Sequence, residues 1–420
     1  MTSLASWRFK LYTPPMPQCP VHKPLLDFET FAQGTPRDYI EALRAGHRIL
    51  WEPDNYATGG HWLLFRQADI DYVLRTTELF TSTQGPILED IPPELLASTQ
   101  ITFLDPPAHR QYRSLVEYAF RPGLLKEREP VMRQMAREII DQVIGKGECE
   151  FISEVAIRLP MRVMYYLLGV KPEDESTVVG LTNTMLLADD PDFAENRAAG
   201  FQASMKLIEF GAALAADHRA DPRDDITMEV LSSELDGERL GDVEFGRFFL
   251  SLIAGGLETT RNTLGWAMVE FVRNPDQYAK LQGDPALVPG AVEEILRYRG
   301  PVVYLRRTAT RDTELAGEPI KKGDKVICMI SACNRDPALF DRPHEFDITR
   351  SVADTRRNYR TFGGGPHYCL GIHQARMNLT VMLDEIARRM TNLRLLAEPK
   401  PARSLFMDGF KELRLGFEAR

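Results

Sequence analysis

The chain has 420 residues, 44% of them hydrophobic, and a formal net charge of −9. That is ample for a large buried core, and the acidic balance argues against nucleic-acid binding driven by overall charge. Five cysteines (Cys19, Cys149, Cys328, Cys333 and Cys369) are too few and too scattered for a disulfide framework.

In chain order, Met1 to Lys10 carries charge early and shows no secretory pattern. No apolar run approaches the roughly 20 residues that span a bilayer, so the reading is a soluble, cytoplasmic protein with no membrane role. Trp62 to Phe65, after Gly59-Gly60, predicts a strand following a turn. Gln67 to Thr76 predicts a helix. Phe80 to Thr102, rich in Pro, Thr, Ser and Gln, predicts a long loop that opens and closes over a site. Ala108 to Arg219 predicts helices broken at Pro122, Pro130, Pro160, Pro172 and Pro191.

From Asp242, Phe245, Phe248, Phe249, Leu252, Ile253, Leu257, Thr260, Leu264 and Met268 recur at helical spacing until Pro275. That predicts one helix of about 30 residues, roughly 45 Å long, with too many apolar positions to lie on the surface. A further helix is predicted over Val288 to Tyr298, and short strands between Val302 and Met329. Cys328 and Cys333 lie in or near an apolar stretch, Lys325 to Ala332, that reads as a strand; their spacing is not that of a zinc pair, and they read as inert core thiols. A last helix begins just after Cys369 and runs to about Met390. The fold class is mainly α with a minor β part, in a single domain.

Phe362-Gly363-Gly364-Gly365-Pro366-His367-Tyr368-Cys369-Leu370-Gly371 is the most informative segment. Glycines let the backbone turn sharply and approach a flat group. The cysteine comes at a helix N-terminus, where free N–H groups favour a thiolate. A thiolate suits a haem iron that must cleave dioxygen. A glycine-rich turn with an incidental cysteine is the plain alternative.

This segment resembles the signature of the cytochrome P450 family at every fixed position, and the similarity extends in order over roughly residues 60 to 420. The resemblance implies a haem-thiolate monooxygenase with a P450-like helical fold, haem b and molecular oxygen. It makes Cys369 the iron ligand, with Phe362 shielding the sulfur and His367 reaching a propionate; Gly365 and Gly371 complete the haem-binding turn.

Other motifs add to it. Gly255-Gly256-Leu257-Glu258-Thr259-Thr260 interrupts a strong helix with two poor helix formers, each costing about 1 kcal/mol. Close helix packing explains that, and so does a local opening where Glu258 and Thr259 relay protons; the resemblance implies the second. Glu294 and Arg297 stand three apart on one helical face, and with Arg350 resemble the family's supporting Glu-x-x-Arg network. His109 and Arg113 lie one helical turn apart. With Arg307, whose neighbour Arg306 is easily mistaken for it, they match the positions that hold haem propionates; a solvated basic face is the bland reading of each.

Family position also implies a substrate pocket of Thr102, Phe103, Ser251, Ala254, Gly255, Val303, Leu305, Phe406 and Met407, mostly small or apolar. The layout is similar to bacterial camphor and terpenoid hydroxylases and implies a terpenoid, norisoprenoid or small aromatic substrate. It also implies reduction by a [2Fe-2S] ferredoxin with a flavin-containing reductase, and a monomer. Phenol coupling or isomerisation on the same haem, and a non-catalytic haem sensor or carrier, are the competing readings.

Overall fold

The computed structural model describes residues 23–53, 59–91, 101–117, 120–188, 190, 192–193, 195, 197–235 and 238–420. Cys19 and much of the expected loop tip, residues 92–100, lie outside them. Helices dominate, and small sheets flank them, as the sequence predicts. Among the described residues no helix is long and apolar enough to cross a membrane.

The predicted long helix forms as two, Asp242–Gly256 and Glu258–Arg273, interrupted at Leu257. It is buried on several sides, against the Arg197–Ala220 helix, the Arg158–Leu168 helix and the final helix, Ile372–Arg389. Phe245, Phe249, Ile253, Leu264 and Met268 are completely buried and join the largest core cluster.

One predicted break does not occur, and another falls at a helix start. The Pro122–Ile144 helix continues through Pro130. An interior proline costs about 3 kcal/mol, and the burial of Met132, Ala136, Ile139, Ile140 and Val143 on one face offsets it. Pro160 sits in the first turn of the Arg158–Leu168 helix, where its missing N–H has no bond to forfeit.

The main sheet runs in the order Ile49–Glu52, His61–Leu64, Lys325–Cys328, Leu305–Ala309, Phe80–Thr81. Lys325–Cys328 pairs parallel with His61–Leu64 and antiparallel with Leu305–Ala309, placing Val326 opposite Arg307. The strand stops at Cys328, short of the predicted Ala332, because Ile330–Cys333 turns into a short helix. Cys328 and Cys333 are both fully buried, and burial pushes the Cys328 thiol up to about 12.

Glu294, Arg297 and Arg350 meet. Arg297 donates from Nε and Nη2 to the two Glu294 oxygens, each at 2.8 Å, and both side chains are inaccessible to solvent. The Arg297 fork also reaches the carbonyls of Pro343 (2.9 Å) and Glu345 (3.1 Å). Arg350 Nε donates to Glu294 Oε1 at 3.3 Å, and the Asp347 N–H to the same oxygen at 2.8 Å. The network pins the irregular segment 341–350 to the Val288–Tyr298 helix. We expect Arg297→Ala, which strands a buried carboxylate, to cost about 3–5 kcal/mol, read as a lower urea midpoint. An unchanged midpoint would deny the network its supporting role.

Candidate functional site

The Cys369 loop is a pair of left-handed glycines closing on a sulfur. Gly363 (φ +71°) and Gly365 (φ +64°) take a conformation that other residues rarely adopt. A Cβ on Gly365 would stand 2.1 Å from the Leu74 carbonyl oxygen. The Cys369 N–H donates to the Phe362 carbonyl at 3.0 Å, and Arg113 Nη1 donates to the Tyr368 carbonyl at 2.8 Å. Helix Ile372–Arg389 starts three residues after Cys369, not at it, with Gly371 as its uncapped N-terminus. The backbone there reaches the sulfur through Gly371. Burial nonetheless pushes the Cys369 thiol up, against Gly371, Arg113 and Arg376, which pull it down. The loop by itself therefore favours the protonated thiol, and a metal ion coordinated there would displace the proton.

A second feature is a buried guanidinium beside two imidazoles. The His109 and His367 rings lie 4.0 Å apart, and both are electrostatically coupled to Arg307. Arg307 is buried in the Leu305–Ala309 strand, donates from Nη1 to the Arg306 carbonyl at 2.8 Å, and has no partner at Nε. No described carboxylate lies within ion-pair distance of it; Asp105, the nearest in effect, accepts from the Thr81 hydroxyl and the Ser82 N–H instead. His109 Nδ1 and His367 Nε2 are likewise buried without partners. Burial, then Arg113, lowers the His109 imidazole to about 4; burial, then Arg307, pushes His367 lower still. Arg306 is committed elsewhere: it reaches the carbonyls of residues 87–89 and pairs with Asp90 at 2.9 Å.

The third feature is the broken turn of the central helix. Around the middle of the helix Ser251, Ala254, Gly255 and Thr259 keep solvent access, and their spacing puts them on one stripe. A Cβ on Gly255 meets nothing within 4 Å, whereas one on Gly256 would stand 3.0 Å from Met164 Sδ. The stripe thus faces open space while the opposite side is packed. Thr259 Oγ1 donates to the Gly255 carbonyl at 2.8 Å. Glu258 is completely buried. Arg261 Nη2 lies 2.6 Å from its Oε2, yet the two are not aligned as a hydrogen bond, and neither Glu258 oxygen has a hydrogen-bond partner among the described residues. Burial raises the Glu258 carboxyl above its ordinary range, and Arg261 opposes that. Arg261 also donates to Asn183 Oδ1 at 3.2 Å. The sequence reading missed Arg261, although its position three residues after Glu258 was a visible signal.

The remaining expected pocket residues divide. Leu305 and Phe406 are half-buried, and Thr102 is exposed in a short turn, Ile101–Phe103, that packs on the Asp242–Gly256 helix. Phe103, Val303 and Met407 are buried; Val303 lies in a core cluster with Tyr304 and Leu405, and its N–H donates to the Phe406 carbonyl. We expect Gly365→Ala to lose haem stoichiometry in the purified protein, because the loop must move away from Leu74 to admit a methyl group. Full haem loading would show that the close approach is dispensable.

The family model described as Cytochrome P450 matches residues 182–393. The methyl-branched lipid omega-hydroxylase of Mycobacterium tuberculosis is 34% identical over 366 residues, covering 86% of this chain and 85% of that protein. The steroid C26-monooxygenase of the same species is 34% identical over 378 residues, covering 89% and 91%. The solved structure of a Mycobacterium marinum cytochrome P450 in complex with pseudoionone superposes with a TM-score of 0.84 at 31% identity, covering 91% of this chain and 94% of that one. This chain belongs to the cytochrome P450 family.

Proposed function

We propose that the chain, as one catalytic unit, inserts an oxygen atom from O2 into a C–H bond of a compact, branched hydrophobic substrate, with Cys369 as the iron ligand. The observation that carries this reading is the broken turn of the central helix. It presents a buried carboxylate that accepts no hydrogen bond, Glu258, followed by a hydroxyl, Thr259, beside an open stripe.

The family's cofactor is haem b, and the residues fit it. Arg307 is a buried guanidinium with no described carboxylate within ion-pair distance, and the two imidazoles beside it, kept neutral by burial, can donate hydrogen bonds; the propionates would supply the missing anion. Arg307, His109, Arg113 and His367 would hold those propionates, Cys369 the iron, and Phe362 would cover the sulfur. Gly365 would keep the loop low enough for a flat ring, with Gly371 at the N-terminus of the helix that follows. When bound, haem supplies the oxygen-activating iron that no side chain can replace.

Thr259 holds a proton beside the open space, its hydroxyl oriented by the Gly255 carbonyl. Glu258 resupplies that proton from the buried side. A carboxyl raised by burial keeps its proton until the pH climbs through its pKa. Coupling of reductant to product therefore falls as pH rises, and this limb disappears in Glu258→Gln. We expect Thr259→Ala to bind haem and substrate but to divert reducing equivalents to peroxide; fully coupled turnover would remove Thr259 from the relay.

The small residues of the stripe, with Leu305 and Phe406, support an apolar substrate. Relatives named for methyl-branched lipids and steroids, and a neighbour holding pseudoionone, support a branched one. A terpenoid or norisoprenoid is the proposed class. A spin-state titration tests it: terpenoids are expected to shift the haem spectrum. Shifts by straight-chain fatty acids or benzoates alone would exclude this class.

The electron donor is proposed to be an acidic [2Fe-2S] ferredoxin, itself reduced by a flavin reductase. Although the chain is acidic overall, a bowl of about 470 Å³ beside the Cys369 loop is lined by Arg75, Arg356, Arg357 and Arg360. Arg357→Glu is expected to slow reduction by ferredoxin, most at low ionic strength, and to leave reduction by dithionite unchanged. Equal slowing with both reductants would exclude the bowl as the docking face.

A further inference from the structure

Glu293 and Glu294 are neighbours on one helix but serve opposite sides. Glu294 holds Arg297; Glu293, 1% exposed, turns toward the Cys369 loop. Glu293 Oε1 accepts from Arg376 Nε and from Arg356 Nε, each at 2.8 Å. Its Oε2 accepts from the Tyr359 hydroxyl at 2.6 Å and from Arg376 Nη2 at 3.1 Å. Arg376 Nη2 also donates to the Tyr359 oxygen at 2.8 Å. Burial, then Glu293, pushes the Tyr359 hydroxyl far up, so it stays a neutral donor. The cluster therefore carries two positive charges and one negative.

This cluster abuts the sulfur's own wall. The Arg376 guanidinium lies 5.1 Å from the centre of the Phe362 ring, and the Phe362 carbonyl accepts the Cys369 N–H. Arg376 follows Cys369 by seven residues and stands just over one turn into Ile372–Arg389. At the other end Arg356 lines the basic bowl, with its side chain 46% exposed. One carboxylate thus joins the docking bowl to the cysteine loop, and the proton relay uses none of these residues.

We propose that Arg376 and Glu293 are positioning residues that set the charge felt by the Cys369 thiolate, with Arg356 as their solvent-facing end, and so tune how readily the bound iron is reduced. The inference rests on Cys369 being the iron ligand. Reduction adds negative charge at the iron–sulfur pair, which a nearby cation stabilises and a nearby anion opposes; in a partly desolvated site such interactions reach beyond direct contact.

The test is the reduction potential of the haem-loaded protein at low ionic strength, with the reduced carbon monoxide spectrum and thermal midpoint recorded for each variant. Arg376→Gln is expected to lower the potential and Glu293→Gln to raise it, while Arg376→Lys, which keeps the charge but loses the planar fork, stays near wild type. Opposite signs from two substitutions in one hydrogen-bonded cluster are not what simple loosening gives, since loosening lowers the thermal midpoint in both. Shifts of the same sign, or none in variants that keep the thiolate band, would overturn the proposal. If the buried variants do not load haem, Arg356→Gln decides: a smaller downward shift supports the network, and an unchanged potential overturns it. A wild-type protein lacking the thiolate band would instead overturn the assignment of Cys369.

Discussion

A guanidinium buried without an acid is the constraint on which the rest of this structure turns. Arg307 is held in a central strand beside two imidazoles, and no described carboxylate lies within ion-pair distance of it. Removing one partner of a buried ion pair typically costs about 3–5 kcal/mol, and here no described residue supplies the partner. A ligand with its own acid groups must complete the site. The other features make room for such a ligand: two left-handed glycines lower the loop that carries Cys369, and the central helix leaves one stripe unpacked. Charge, shape and ligand chemistry converge on one flat, doubly acidic, metal-bearing group.

The scaffold fixes these parts by different means. Sheet register places Arg307 and sends Arg306 to a separate task at Asp90. A fully buried ion pair, Glu294–Arg297, ties the irregular segment that precedes the cysteine loop to a helix. Apolar packing orients the central helix, and the Thr259 hydroxyl bonds the Gly255 carbonyl across its interruption at Leu257. Such division of labour keeps the reacting groups on rigid elements.

Much of this was legible in the sequence because local physics demanded it. The glycines and the cysteine sit where only they suffice, and a 3.6-residue period marked the central helix. The opening at Leu257 was legible in Gly255-Gly256, but its division of the helix into two was not, since the apolar period runs on unbroken while the backbone does not. Pro130 misled because propensity is local and the buried face that overrides it is not. Arg261 and Glu293 were missed for a related reason: each acquires its meaning from where it points, and for Glu293 that target lies 66 and 83 residues away at Tyr359 and Arg376. Substrate identity stays least legible, because pocket shape depends on small side-chain placements summed over distant segments.

The most direct test is the reduced carbon monoxide difference spectrum of the purified protein beside its Cys369→Ala variant. The account requires the red-shifted band of a thiolate-ligated haem in the wild type and its loss in the variant. A histidine-type band, a protein that takes up no haem, or a thiolate band that survives removal of Cys369 would contradict it.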